Sequence, residues 1–121
     1  MPPAYGTTAL LRMSFMIALV TGFWLSLQPV ADGTTWLVWQ DKAEHLAFFV
    51  LLALLGVAAW PTRPRVVGGT LLMYGVAMEI AQSFTAYRRG DPWDWVADAL
   101  GIGAGLLLAR TIGRLRIRGA A

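Results

Sequence analysis

Four apolar stretches separated by short polar segments take up most of the sequence. They cover approximately residues 9–28, 43–60, 66–86 and 94–112. Each stretch approaches the roughly 20 residues that an α-helix needs to cross the hydrocarbon core of a bilayer. The apolar runs are continuous, whereas the strands of a membrane barrel alternate apolar and polar residues over about 10 positions. The pattern therefore predicts an all-α integral membrane protein, a four-helix bundle that forms a single four-span domain over residues 1–121.

The composition supports this class and excludes several others. Hydrophobic residues make up 57% of the chain and charged residues only 14%, whereas soluble domains carry about 25% charged residues. The chain has no cysteine, so disulfides and thiolate metal sites are excluded. The net charge is +3, but the basic residues lie beside helix ends and no nucleic-acid-binding module is present. We therefore predict no nucleic-acid partner.

The charged residues divide between the two ends of the predicted spans. If the spans alternate in direction, the acids all fall on one side, at Asp32, Asp41, Glu44, Glu79, Asp91, Asp94 and Asp98. The opposite side carries most of the basic residues, namely Arg12, Arg63, Arg65, Arg110, Arg114, Arg116 and Arg118. Because Lys and Arg are enriched beside the cytoplasmic ends of membrane helices, both termini are predicted to be cytoplasmic. The acids then face the outer leaflet.

One acid lies well inside a predicted span. Glu79 follows Arg65 by about 14 residues, or roughly 21 Å along a helix, which places it in the outer half of the hydrocarbon. An acid at this depth costs a few kcal/mol unless it is paired, protonated or in contact with water, so it marks a candidate functional site. Gln82 and Ser83 follow at i+3 and i+4 and share its helix face.

Further polar side chains enter the neighbouring spans from the same side. Asp94 and Asp98 are four residues apart at the start of the last span and share one face. Asp91 precedes a proline and is typical of a turn or helix cap. An acid in the first turn is also favoured by the helix dipole, which helps to explain Asp94 but not the deeper Asp98. His45 enters with the second span at about the same depth.

We predict that the polar residues from these spans form one ligand-binding pocket in the outer leaflet. Its residues are His45, Glu79, Gln82, Arg88, Arg89, Asp94 and Asp98. Three interpretations are open: an ion-paired structural network; a recognition site for phosphate, carboxylate, amine or sugar groups; and a catalytic site with His45 and Glu79 as the acid/base candidates. No spacing matches a specific metal motif, so no cofactor is predicted, and a divalent metal at the carboxylates is the weaker alternative.

The last span also repeats a small residue at every fourth position. Such a face lets two helix backbones approach closely in lipid. The small residues are Ala97, Gly101, Gly105 and Ala109. The third span carries Gly68, Gly69 and Gly75, which makes it the expected packing partner.

The order of these residues resembles the VanZ-like family of small membrane proteins. The resemblance runs from Asp41 to about Gly105. Its elements are Asp41-Lys42, His45, the pair Phe48-Phe49, Glu79-x-x-Gln82, an arginine at Arg88 or Arg89, and Asp91-x-x-Asp94-x-x-x-Asp98-x-x-Gly101. The family usually has Asn at the position of Asp98, so an acid replaces an amide in this chain.

The resemblance implies a multi-pass protein of the bacterial cytoplasmic membrane that acts at the cell envelope. The family is named for a protein linked to resistance to teicoplanin-type glycopeptides, but many members occur in bacteria with no antibiotic-resistance role. The expected function is recognition of an envelope lipid, a lipid-linked intermediate or a lipidated (glyco)peptide antibiotic. The alternatives are an enzyme that acts on a lipid-linked phosphate or sugar, and a small helper subunit of a larger membrane complex.

Overall fold

The computed structural model describes residues 5–29, 37–86 and 90–121. These ranges contain four helices and no strand, which confirms the predicted all-α bundle. The helices are α1 (Tyr5–Ser26), α2 (Leu37–Ala59), α3 (Pro64–Ser83) and α4 (Pro92–Gly119). Each helix overlaps one of the apolar stretches. Helices α2 and α4 extend beyond theirs, because the polar start of α2 and the Arg-rich end of α4 are helical too.

Within the described ranges, three helical segments are long and apolar enough to cross a membrane. They are Tyr5–Ser26, Trp39–Ala59 and Pro92–Gly119. Helix α3 is also 20 residues long, but it carries Glu79 and Gln82 in its second half, and these lower its mean hydropathy. The crossing of the bilayer by α3 as a fourth span therefore stays a prediction.

Prolines and a capping side chain fix where α3 and α4 begin. Pro64 and Pro92 occupy the first positions of their helices, where a missing N–H leaves no hydrogen bond unmade. The carboxylate of Asp91 accepts a hydrogen bond of 2.9 Å from the backbone N–H of Trp93 and caps α4. This cap holds Asp91 at the entrance of α4, beside the acids of the first turns.

Helix α2 is central to the bundle, and its most extensive interface is with α4. The buried core draws side chains from all four helices: Phe15, Phe49, Leu52, Ala53, Val67, Leu71, Met78 and Ile102. In lipid, such contacts stabilise the bundle through van der Waals packing rather than through removal of apolar surface from water.

Two glycines of α4 allow its close approach to α2. A Cβ atom on Gly101 would lie 2.5 Å from the carbonyl oxygen of Leu46. A Cβ atom on Gly105 would lie 2.6 Å from Cβ of Ala53 and 2.8 Å from the carbonyl oxygen of Val50. The prediction of a small-residue packing face on α4 is confirmed, but the prediction that α3 packs against these glycines is wrong. Their partner is α2.

Helix α3 meets a different face of α4. A Cβ atom on Gly75 would lie 3.0 Å from Oδ2 of Asp98, and one on Gly68 would lie 3.0 Å from the side chain of Leu106. Apart from the adjoining backbone of α3 itself, no atom of the described residues lies within 4 Å of the corresponding position on Gly69. The α3 glycines thus open space for the larger side chains of α4 rather than for its small ones.

Candidate functional site

A buried pair from α2 and α4 lies at the centre of the polar residues. Nδ1 of His45 is 2.7 Å from Oδ1 of Asp98, and the two side chains are 8% and 0% exposed. The second carboxylate oxygen of Asp98, Oδ2, is buried without a hydrogen-bond partner among the described residues. It lies against Gly75, so a larger residue at that position of α3 would press on the carboxylate.

Glu79 approaches this pair from α3. Its Oε2 atom accepts a hydrogen bond of 2.9 Å from the backbone N–H of Asp91, which ties α3 to the start of α4. Its Oε1 atom is buried and has no hydrogen-bond partner in the described part of the chain. One nitrogen or oxygen from each of His45, Glu79 and Asp98 lies within 4.8 Å of the others. These three residues are called the inner cluster below.

Lys42 forms a second ionic group with the acids that open α4. Its Nζ atom is 2.8 Å from Oδ2 of Asp91 and 2.8 Å from Oδ1 of Asp94. The hydrogen bond from Lys42, together with the N–H of Trp93, holds the pKa of the Asp91 carboxyl below its usual range. The side chain of Asp94 is only 7% exposed, so the ammonium group compensates a carboxylate that water barely reaches.

His45 connects these two groups. Ligand-type atoms of Asp41, His45 and Asp94 also lie within 4.8 Å of one another. The structure therefore brings four of the predicted site residues into one polar region: His45, Glu79, Asp94 and Asp98. The predicted residues Arg88 and Arg89 lie outside the described ranges.

Gln82 makes its contact elsewhere. Its side chain is 1% exposed, and Nε2 donates a hydrogen bond of 2.9 Å to the carbonyl oxygen of Ser26. That carbonyl belongs to the last turn of α1, where backbone oxygens lack helical partners. The structure thus gives Gln82 a role in joining α3 to α1, and the prediction did not include this link.

Three polar anchors were not among the predicted site residues, although Lys42 belongs to the Asp41-Lys42 element of the family resemblance. They are Lys42, Tyr74 and Trp95. The hydroxyl of Tyr74 donates a hydrogen bond of 2.6 Å to the carbonyl oxygen of Leu19. Nε1 of Trp95 donates one of 3.2 Å to the carbonyl oxygen of Leu72. Lys42 carried a usable signal, because it is a cation among the acids at the start of a span. The two aromatic residues carried none, since Tyr and Trp with a polar tip suit both cores and membrane interfaces.

A cavity of about 300 Å³ opens between α1 and α2 beside His45. Its lining consists of Ala18, Thr21, Gly22, Leu25, Ser26, Asp41, Glu44, His45, Phe48 and Met78. Along α2 the lining changes from Phe48 through His45 to Glu44 and Asp41, over about 10 Å at 1.5 Å per residue. The cavity therefore has an apolar part deep in the bundle and an acid-rich part towards the start of α2.

A second recess of about 380 Å³ lies between α3 and α4. It is lined by Val76, Glu79, Ile80, Ser83, Gly90, Asp91, Pro92 and Trp95. Glu79 thus borders a recess as well as the inner cluster.

The charges in this region favour ligands that donate hydrogen bonds or carry positive charge. Among the described residues at this end of the bundle, the cations are Lys42 and, when protonated, His45. The acids at this end of the bundle are Asp41, Glu44, Glu79, Asp91, Asp94 and Asp98. Ionised carboxylates only accept hydrogen bonds, and they also bind metal ions.

The fold and the polar region define a class, a small helical membrane protein with a polar site built from the ends of three helices. The profile of the VanZ/LLP1 family matches residues 5–113. The protein belongs to this family, which confirms the resemblance found in the sequence. No curated protein and no solved structure matches the chain.

Proposed function

We propose that the protein recognises the headgroup of an envelope amphiphile in the α1–α2 cavity. The candidate ligands are an envelope lipid, a lipid-linked intermediate and a lipidated (glyco)peptide antibiotic. The observation that carries the proposal is the change in the cavity lining from apolar to acidic along α2. An acyl or polyprenyl chain fits against Phe48 and Met78, and a headgroup fits against Asp41 and Glu44. Binding pockets commonly combine an apolar wall with a few placed polar groups in this way.

The acids favour a headgroup that donates hydrogen bonds. Glu44 is exposed at the mouth of the cavity, and its Oε1 atom accepts a hydrogen bond of 3.1 Å from Nε2 of Gln40. A carboxylate has about four acceptor positions, so this contact leaves acceptor capacity for a ligand. Charge-assisted hydrogen bonds are roughly twice as strong as neutral ones. Amines and sugar hydroxyls are therefore the groups that this end of the cavity suits best.

We place the site in the outer leaflet of the bacterial cytoplasmic membrane. Helix α4 has 28 residues, which corresponds to about 42 Å, whereas the hydrocarbon core is about 30 Å thick. Its acids lie at one end and its exposed arginines at the other. The positive-inside rule assigns the arginine end to the cytoplasm, so the acid-rich end faces outward in a multi-pass arrangement.

Native mass spectrometry of the purified protein tests this function, because it identifies lipids that stay bound. Ala18→Phe fills the apolar part of the cavity and is expected to lower lipid occupancy. Val20→Phe is the matched control, since Val20 is on the same helix and 68% exposed. Equal occupancy in the two variants would contradict binding in this cavity.

The His45–Asp98 pair favours a second candidate, an enzyme that acts on a lipid-linked phosphate or sugar. A carboxylate bonded to Nδ1 fixes the tautomer and orientation of an imidazole, which leaves Nε2 for proton exchange with a substrate. His45 borders the cavity, so its imidazole is placed for this role. Product formation that His45→Gln abolishes, with ligand binding retained, would favour the enzyme over the recognition protein.

A further inference from the structure

Two carboxylates of the inner cluster each keep one buried oxygen without a donor. Asp98 is fully buried; its Oδ1 atom bonds to His45, and its Oδ2 atom has no partner in the described part of the chain. Glu79 uses Oε2 for the N–H of Asp91, and its buried Oε1 atom is likewise unpartnered among those residues. A buried acceptor without a partner costs about 1–3 kcal/mol, and more when it is charged. Two such oxygens beside one imidazole therefore indicate a ligand.

We propose that His45, Glu79 and Asp98 bind a divalent transition-metal cation. One potential ligand atom from each residue lies within 4.8 Å of the others. Tetrahedral bonds of about 2.0–2.2 Å to Zn²⁺ hold neighbouring ligand atoms roughly 3.3–3.6 Å apart, so binding requires a contraction of at most roughly 1.2–1.5 Å. Two carboxylates and a neutral imidazole together carry two negative charges, which a divalent cation neutralises.

The residue types select among cations. An imidazole nitrogen suits Zn²⁺ or Fe²⁺ better than Mg²⁺, Ca²⁺ or Mn²⁺, which prefer oxygen ligands. The neighbouring group of Asp41, His45 and Asp94 is a poorer site, because Asp94 already pairs with Lys42 at 2.8 Å. The inner cluster has the unpartnered carboxylate oxygens, and so it is where the structure assigns the metal.

A single proton shared by Glu79 and Asp98 is the competing explanation. It would satisfy both unpartnered oxygens without any metal. The two explanations predict different responses to added metal. A metal site binds one ion per chain and the bound ion stabilises the protein, whereas a shared proton gives neither effect. Neither explanation depends on the proposed headgroup function, because Glu79 and Asp98 are absent from the lining of the α1–α2 cavity.

Metal titration of the full chain tests the proposal. Protein purified in detergent and stripped with a chelator is titrated with Zn²⁺, Mn²⁺, Mg²⁺ and Ca²⁺ by calorimetry. Zn²⁺ is expected to bind stoichiometrically and far more tightly than the other three ions. Glu79→Gln and Asp98→Asn should lower Zn²⁺ affinity by more than the roughly 10–100-fold that losing an outer-shell partner costs. Arg114→Gln is the control and should keep the wild-type affinity, because Arg114 is exposed near the opposite end of α4.

Co²⁺ provides a measurement that needs no substitution. Bound to the wild-type chain, Co²⁺ should give visible absorption bands that Zn²⁺ abolishes in stoichiometric amount. Absence of stoichiometric Zn²⁺ binding to the wild-type chain, or unchanged Zn²⁺ affinity in Glu79→Gln, overturns the proposal and favours the shared proton. Ala18→Phe separates the two functions. If this variant no longer binds lipid but keeps its Zn²⁺ affinity, the substitution has affected the headgroup site alone.

Discussion

Nδ1 of His45 and Oδ1 of Asp98 lie 2.7 Å apart in the interior of the bundle, and they belong to the two helices that pack most closely. The close packing explains the pair. Gly101 follows Asp98 by one turn, and its missing side chain leaves room for the carbonyl oxygen of Leu46, which is the residue after His45. The small-residue face of α4 therefore brings the imidazole within hydrogen-bond distance of the carboxylate.

Replacing Asp98 tests what this pair contributes to stability. Asp98→Asn is expected to keep the fold, because the amide oxygen can still accept a hydrogen bond from Nδ1 of His45. Asp98→Ala leaves the buried imidazole without that partner and is expected to lower the free energy of unfolding by about 1–3 kcal/mol. Unfolding in detergent, followed by circular dichroism, measures both variants. Equal stability of Asp98→Ala and the wild type would show that the pair does not stabilise the bundle.

Lys42→Met should destabilise the protein through the acid that it leaves behind. Asp94 is 7% exposed on its side chain, so loss of the ammonium removes a charge-assisted hydrogen bond worth about 1.5–3 kcal/mol. The same unfolding measurement checks this loss. Glu44→Gln, at an exposed position two residues further along α2, is the control and should stay within about 0.5 kcal/mol of the wild type.

The double variant Lys42→Met with Asp94→Asn shows whether the loss comes from the unpaired carboxylate. Neutralising Asp94 removes the buried charge, so part of the stability should return. Residues in direct contact usually show such non-additivity. Additive effects of the two substitutions would mean that Lys42 stabilises the bundle in some other way.

A pair of glycines on α4 tests the packing face. Gly101→Ala places Cβ 2.5 Å from a backbone oxygen of α2, and the overpacking is expected to cost about 1–3 kcal/mol. Gly103→Ala meets no atom within 4 Å and is expected to gain about 0.5–1 kcal/mol through the better helix propensity of Ala. Thermal unfolding of both variants measures the difference. Equal effects would show that the close α2–α4 contact does not depend on Gly101.

The sequence was sufficient to predict the helices, because each coincides with a continuous apolar stretch. It also predicted the small face of α4, since residues at i and i+4 share a helix face. It could not predict which helix that face meets. Both α2 and α3 lie next to α4, and only three-dimensional packing shows that Gly101 and Gly105 contact α2 while Gly75 accommodates Asp98.

The proximity of four predicted site residues, His45, Glu79, Asp94 and Asp98, was predictable from the sequence, but their bonds were not. Depth along each helix placed His45, Glu79 and Asp98 at a common level, and the structure brings atoms of all three within 4.8 Å. Partner choice depends on helix rotation, which periodicity leaves open. For this reason Gln82 shares a helix face with Glu79 in the sequence, yet its amide donates to Ser26 on α1.

Both termini are predicted to lie in the cytoplasm. The reason is the concentration of arginines on one side of the predicted spans, to which the positive-inside rule assigns the cytoplasm. Reporter fusions after Arg118 measure this location, with a cytoplasmic reporter expected to be active and a periplasmic phosphatase inactive. An active phosphatase at this position would contradict the predicted topology. It would instead agree with a protein that crosses the membrane three times, through α1, α2 and α4.

Glu79→Gln separates a structural role from a role in a site. Glutamine keeps a side-chain oxygen that can accept the N–H of Asp91, so the fold is expected to remain near wild-type stability while Zn²⁺ binding is lost. Breaking a buried ion pair would instead cost roughly 3–5 kcal/mol. Among the described residues, the hydrogen bond that Glu79 accepts comes from a backbone N–H rather than from a cation, which favours the first outcome.

The measurement for Glu79→Gln is thermal unfolding in detergent, paired with binding of Zn²⁺. His45→Gln serves as the comparison, because its imidazole lies in the same cluster. If both variants showed the same large drop in melting temperature, and the double variant recovered stability, the two residues would form a structural ion pair. Near-wild-type stability of Glu79→Gln with lost ligand would instead mean that an acid in the hydrocarbon region is retained for binding, since sites commonly trade stability for function.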